Sequence, residues 1–338
     1  LKAIVIRKFG PPDVMRLEEI PTPEPGPGEV LIKVHAVSVN RTLDLVVRSG
    51  KYARSVSFPH ILGVDPSGVI VAVGAGVTER KVGDRVVSAN RISEPTATTP
   101  PQLLGVNVWG GYAEYVKVPA RVTHLVPDGL DFPAATVVAR HAPTAFHLLR
   151  DRAKLQPGEW VLVMGASGGL GSAGVQAAKY LGAKVIAGAG ADERVRAGLD
   201  LGADAGVNYR AGNLTAEVMR ITAGRGVNVV FENIGEPDLF AKAFASLARD
   251  GRLVTAGGHG GGIVPLDVNR LYMNHLSVIG STGEASTDFK SSLEAAAQGK
   301  FKVLIDSILP LSEAVRAHEI VAARSGIGKI VLEPTRLK

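Results

Sequence analysis

The chain has 338 residues, 46% of them hydrophobic, with 38 Lys and Arg against 32 Asp and Glu and no cysteine. That length exceeds what one typical core organises, so two domains are expected, and the missing thiols exclude disulfides, thiolate metal ligands and cysteine nucleophiles. The net charge of +6 is spread without a block of five like charges, which argues against nucleic acid binding, while a basic balance favours a phosphate-bearing ligand.

From Leu1 to about Pro127 the apolar residues alternate or form short runs closed by Gly and Pro, as in Val30 to Val34, Gly68 to Val73 and Tyr115 to Val118. These read as strands. Pro21 to Gly28 reads as a connecting loop, and Ile92 to Pro101 as a surface excursion. The longest uninterrupted apolar stretch, around Gly68 to Val77, falls well short of the ~18 residues of a membrane span. Leu1 to Arg7 lacks a signal-peptide pattern, so a cytoplasmic protein with no membrane partner is expected.

Near Phe132 the pattern changes, and Phe132 to Leu149 carries apolar residues at helical spacing. Six strands are predicted after it: Trp160 to Met164, Lys184 to Ala187, Gly206 to Tyr209, Val227 to Phe231, Arg252 to Ala256 and Leu276 to Ile279. Segments of helical character separate most of them, which predicts a six-stranded parallel sheet wound on both sides, a complete dinucleotide-binding unit. After Ser281, helices around Asp288 to Ala297 and Leu311 to Ala323 flank short strands, the last at Ile330 to Leu332. The tail is expected to return to the first domain. The expected division is therefore 1–126, 127–281 and 282–338, with a cleft between a split strand-rich domain and a continuous nucleotide domain.

The strongest local signal is Val161 to Gly182, where an apolar strand runs into a glycine loop and then an Ala-rich helix. That context puts a pyrophosphate against unpaired N–H groups at a helix N-terminus. The loop Ala166, Ser167, Gly168, Gly169, Leu170 and Gly171 is the candidate cradle. In register, Ala166, Gly168 and Gly171 hold the three fingerprint positions; Gly168 lets the backbone approach the pyrophosphate and Gly171 permits close helix–strand packing. An NAD site needs an acid at the end of the second strand, but this strand ends Ala187, Gly188, Ala189, and Arg194 follows, able to pair with a 2′-phosphate. The expected cofactor is NADPH. Asp192 and Glu193 open the next helix instead, and Tyr209 at the end of the third strand offers a hydroxyl or simple packing.

The chain resembles the medium-chain dehydrogenases/reductases along essentially its whole length. The matching segments are Pro25 to Val34, Arg48 to Tyr52, Pro59 to Gly68, Gly83 to Val87, Gly110 to Val116, Phe231 to Gly235, Gly251 to Gly258 and Gly328 to Leu332, with Thr144 and Ala145 between. The resemblance implies an α/β protein: a GroES-like strand-rich catalytic domain beside a doubly wound Rossmann domain, often a homodimer through the last sheet strand. It implies cofactor contacts at Thr144, Asn233, Gly257, Gly258 and Lys329 as well. Zinc-dependent members hold a metal with Cys, a His followed by Glu, and a second Cys or acid. Here those positions fall at Asn40 or Arg41, at Val64 and Asp65, and near Arg140, so no metal is expected.

Without a Lewis acid, reduction of a conjugated acceptor demands less than oxidation of an alcohol. The zinc-free quinone oxidoreductase branch therefore matches best, with hydride passing from NADPH to a quinone or an α,β-unsaturated carbonyl compound. Tyr52 stands where related reductases carry a functional tyrosine, and either Asn40 or Arg41 polarises the carbonyl. The alternatives are an enoyl-thioester reductase, a zinc-free alcohol dehydrogenase-like protein, and a non-catalytic NADPH- or RNA-binding relative.

Overall fold

The computed structural model describes residues 1–323 and 328–336, which pack as two compact units, Leu1–Arg140 with Val303–Lys338, and His141–Lys302. Both boundaries lie later in the chain than the expected divisions at 126 and 281. Two polar ties account for this. Thr136 donates to the backbone oxygen of Asp65 and binds the following helix to the first unit, and Arg150 binds Asp288, which keeps a later helix in the second.

The first unit contains β1 (Lys2–Ile6), β2 (Arg16–Glu19), β3 (Glu29–Ser38), the short turn α1 (Val46–Arg48), β4 (His60–Ile61), β5 (Ser67–Val73), β6 (Arg85–Ser88), β7 (Tyr115–Pro119) and β8 (Thr123–Leu125). The helix α2 (Phe132–Phe146) follows. β3 is the spine: it pairs antiparallel with β5 and β7, and its Val30, Ile32 and Val34 are fully buried. Period-two alternation there puts one face into the apolar core, as the sequence predicts.

The second unit holds β9 (Trp160–Met164), α3 (Gly169–Tyr180), β10 (Lys184–Ala189), α4 (Asp192–Asp200), β11 (Ala205–Asn208), α5 (Leu214–Ile221), β12 (Val227–Glu232), α6 (Pro237–Ala245), β13 (Leu247–Thr255), α7 (Val268–Met273), β14 (Ser277–Gly280) and α8 (Ser286–Ala297). Its six parallel strands lie in the order β11-β10-β9-β12-β13-β14. The strands match the six expected ones; β13 alone begins well before its expected start, at Leu247. The order reverses between β9 and β12, and in such sheets the crevice at the carboxyl ends beside that switch point takes the ligand. Leu162, Ile186, Val230 and Leu253 from four of these strands pack in one buried cluster.

The chain then returns to the first unit through β15 (Ile305–Pro310), α9 (Ala314–Ala323) and β16 (Lys329–Glu333). β16 pairs antiparallel with β3, Leu332 opposite Val37 and Val331 opposite Ser38. That pairing carries Lys329 to the end of β3. Among the described residues no helix is long and apolar enough to cross a membrane.

Candidate functional site

In the second unit the glycine loop joins β9 to α3. Gly165 takes the left-handed turn (φ 65°), and Ala166 behind it is wholly buried, its N–H donating to the Gly188 carbonyl at 3.1 Å. This explains why alanine stands in the first fingerprint place: the residue before it supplies the conformation that glycine allows. Gly168 precedes the first turn of α3, and no side chain caps that end. Ser167, Gly168 and Gly169 are exposed there and Leu170 is half-buried, and the first N–H groups of a helix have no partner within it. A β-carbon on Gly171 would come within 2.7 Å of the Gly165 carbonyl carbon and closer to its oxygen, whereas one on Gly168 would meet only that oxygen, at 3.3 Å. One glycine is thus demanded by packing. The other leaves space in front of the helix.

The ends of β12 and β13 close around the same loop. Asn233 Nδ2 donates to the Met164 carbonyl at 2.6 Å, and a β-carbon on Gly257 would lie 3.0 Å from the carbonyl carbon of Asn233. A β-carbon on Gly235 would in turn lie 2.7 Å from Gly258 Cα. Glu232, buried at the end of β12, accepts the N–H groups of Ile234 at 2.8 Å and Gly235 at 3.0 Å and so fixes the turn; burial raises its carboxyl above the usual range. Thr144 Oγ1 donates to Glu284 at 3.4 Å. His141, which the sequence reading left without a role, has its ring over Gly169, with Nε2 2.5 Å from where a β-carbon would stand.

At the end of β10, Gly190 is flanked by Tyr209 and by Arg210, whose Nε would be 3.2 Å from a β-carbon there. Burial raises the Tyr209 phenol, and the charges of Arg210 and Arg194 pull it back. Tyr209 and Arg210 thus stand together against Gly190, with the charge of Arg194 also acting on the phenol. Arg210 escaped the sequence reading, although its place directly after Tyr209 was a usable signal. Asp192 is tied to Asn208 Nδ2 at 2.7 Å at the start of α4.

In the first unit a polar network fills the end of β3. Asn40 is buried and Arg41 exposed, so Asn40 is the residue that enters the network. Its Nδ2 donates to Asp65 Oδ2 at 3.1 Å, its N–H donates to Asp44 Oδ2 at 2.7 Å, and its Oδ1 accepts Lys329 Nζ. Asp65 also accepts Ser38 N at 2.9 Å, Ser38 Oγ at 2.6 Å and Thr136 Oγ1 at 3.0 Å; Asp44 Oδ1 accepts the Gly63 N–H at 3.0 Å. Burial raises the Asp44 carboxyl to about 7, with the charge of Asp65 adding to it. Burial lowers the Lys329 ammonium to about 8; Arg140 acts the same way, and Asp65 and Asp44 oppose it. Tyr52 lies outside this network, its ring half-buried against the apolar core of the unit.

These residues do not fit a zinc ion. Val64 offers no donor atom, the oxygens of Asp65 and Asp44 are engaged by hydrogen-bond donors, and an ammonium and a guanidinium oppose a further cation. Among the described residues, the group of acids and histidines close enough to share a metal is His147, Asp151 and Asp288 in the second unit. There Arg150 already binds both carboxylates, at 2.9 Å to Asp151 and 2.5 Å to Asp288.

Residues 26–128 match the model of the alcohol dehydrogenase GroES-like domain, and residues 169–298 that of the zinc-binding dehydrogenase. The chain is 32% identical over 340 residues to a quinone oxidoreductase of Homo sapiens, covering 98% of this chain and 97% of that one. It is 35% identical over 352 residues to an NAD-dependent alcohol dehydrogenase of Sulfolobus acidocaldarius, covering 99% and 100%. The crystal structure of AibC superposes with a TM-score of 0.93 at 33% identity, over 98% of this chain and 95% of that one.

Proposed function

The chain belongs to the medium-chain dehydrogenase/reductase superfamily, in its quinone oxidoreductase-like branch, and from that premise we propose a zinc-independent, NADPH-dependent reductase of quinones or α,β-unsaturated carbonyl compounds. The observation that carries this reading is the network at the end of β3, where Asn40, Asp65 and Lys329 satisfy one another in the place a metal would need. A conjugated acceptor suits such a site, because its oxygen needs only hydrogen-bond donors and a proton once hydride has added to carbon.

NADPH, when bound, supplies the hydride. The loop 166–171 and the turns at Asn233, Gly257 and Gly258 cradle its pyrophosphate at the N-terminus of α3, and Thr144 meets the nicotinamide end. Arg194, Arg210 and the Tyr209 hydroxyl hold the 2′-phosphate, with charge-assisted hydrogen bonds that a bare ribose hydroxyl does not make. Tyr52 donates a hydrogen bond and then a proton to the acceptor. The edge strand β14 and the exposed Val268, Tyr272, Met273 and Val278 give a homodimer an apolar face.

Turnover of quinones, enals, enoyl thioesters and alcohols, each with NADPH and with NADH, tests the reading. NADPH oxidation by a quinone or enone is expected, with NADH much weaker. The likeness to an NAD-dependent alcohol dehydrogenase favours a second reading, alcohol oxidation with NAD, and activity confined to alcohols would replace the first.

A further inference from the structure

Within the first unit, the excursion between β6 and β7 and the strands β4 and β7 border a cavity of about 360 Å³. Ile61, Ile92, Val108 and Val116 line it together with the rings of Trp109 and Tyr115. The excursion is held away from this space. Its Leu104 and Val106 are fully buried in the core, Arg121 donates to the Ile92 carbonyl at 2.6 Å, and Trp109 Nε1 donates to the Pro59 carbonyl at 2.8 Å. That last bond fixes an indole ring that is still 42% exposed. A preformed apolar cavity of this size, with a few polar groups to one side, has the make-up of a small-molecule site. Glu29, also in its lining, opens β3, and the polar network sits past the other end of that strand, roughly 30 Å along ten extended residues.

The polar groups decide the charge of the ligand. Lys117 and Glu29 are paired at 3.1 Å, and the same Glu29 oxygen accepts the Gly26 N–H at 2.9 Å. The pair is neutral as a whole, so an ion entering among the aliphatic side chains gives up its water without gaining a counter-charge. A hydroxyl or carbonyl loses far less, and the remaining Lys117 N–H donors and the exposed Gln102 amide can meet it. The anchored face of Trp109 favours a planar partner by stacking. Two hydrogen bonds also join this wall to the segment that carries Tyr52: Arg54 donates to the Pro101 carbonyl at 2.6 Å, next to Gln102, and Trp109 donates to Pro59.

The geometry points to a second ligand site, for an uncharged aromatic molecule of two fused rings, whose occupancy steadies the segment from Tyr52 to Pro59. The site stands apart from the reductase reading and does not depend on it. A ligand seated against Trp109 and Gln102 binds best when both of those bonds are closed, and so lowers the population in which the segment opens.

The test uses the full chain carrying Trp160→Phe, which leaves Trp109 as the remaining tryptophan. Titration with 2-naphthol quenches its emission saturably, and 2-naphthoate, similar in shape but an anion, binds about tenfold or more weakly. Val108→Phe, in the wall of the cavity, weakens 2-naphthol by about tenfold or more while the melting temperature stays within about 2 °C. Hydrogen exchange followed by mass spectrometry slows in residues 52–59 and 92–109 when 2-naphthol is bound. Should Val108→Phe fail to fold, that exchange pattern in the unaltered protein locates the ligand by itself. Equal affinity for 2-naphthol and 2-naphthoate overturns the inference, as does unchanged 2-naphthol affinity in folded Val108→Phe. Unaltered exchange in residues 52–59 at saturating 2-naphthol overturns it too.

Discussion

Gly168 and Gly171 sit three residues apart in sequence, and substituting each with alanine separates packing from ligand approach. On Gly171 a methyl group would lie 2.7 Å from the Gly165 carbonyl carbon and 3.1 Å from Ala166 Cα, all backbone that has no rotamer to escape into. Overpacking of this kind costs about 1–3 kcal/mol or more, and in a unit of this size each kcal/mol lowers the melting temperature by about 2–4 °C. On Gly168 the methyl meets only the Gly165 oxygen at 3.3 Å, and its φ of −77° suits alanine. Removing glycine from the unfolded chain gains about 0.4–1 kcal/mol, which offsets the loss of a good N-cap residue, so Tm should move by no more than about 2 °C. The methyl nevertheless occupies the surface that a pyrophosphate must touch. NADPH affinity, measured by fluorescence titration, should fall about tenfold or more in Gly168→Ala with Tm held, while Gly171→Ala should lose Tm first. A Gly168→Ala protein that binds NADPH as wild type does would refute the placement of the pyrophosphate against this backbone.

Arg194→Ala and Arg210→Ala should each raise KM for NADPH by about tenfold to a hundredfold and leave KM for NADH almost unchanged, since each removes a charged hydrogen bond to the phosphate alone; parallel losses with both cofactors would dissociate them from the 2′ end. Tyr52→Phe should lower kcat by about a hundredfold with NADPH affinity intact, measured by steady-state kinetics beside equilibrium binding. Burial holds His318, bonded to Tyr112 at 3.2 Å, down to about 3. A depressed histidine binds fewer protons folded than unfolded, so its contribution to stability is intact above the unfolded value near 6.5 and is lost as pH falls from there towards 3. Between pH 6.5 and 5 that loss is roughly 2 kcal/mol, and urea unfolding of His318→Gln should show a correspondingly flatter pH dependence. Tyr272→Glu combined with Val278→Lys should yield a monomer by light scattering if the β14 edge joins two copies.

Much of this was legible in the residues. Alternating Val30, Ile32 and Val34 announced β3, and the run from Val161 to Gly182 announced a strand, a loop and a helix, because short-range periodicity and glycine spacing are local properties. The choice between Asn40 and Arg41 was not local. It turned on which side chain enters the core, which depends on Ser38, Asp65 and Lys329 being brought together by pairing of β3 with β16. The place of Arg210 directly after Tyr209 was a local signal, but its neighbour Gly190 is brought beside it only by the parallel alignment of β10 with β11. The unit boundaries also depended on side-chain ties, Thr136 to Asp65 and Arg150 to Asp288, that no composition change marks.

Lys329 meets Asn40 although the two stand 289 positions apart in the sequence. On a ribosome the strand β3 would emerge long before β16, so this pairing forms late, as a contact of high sequence separation. A product truncated before β16 would therefore lack both the pairing of that strand with β3 and the bond from Lys329 to Asn40.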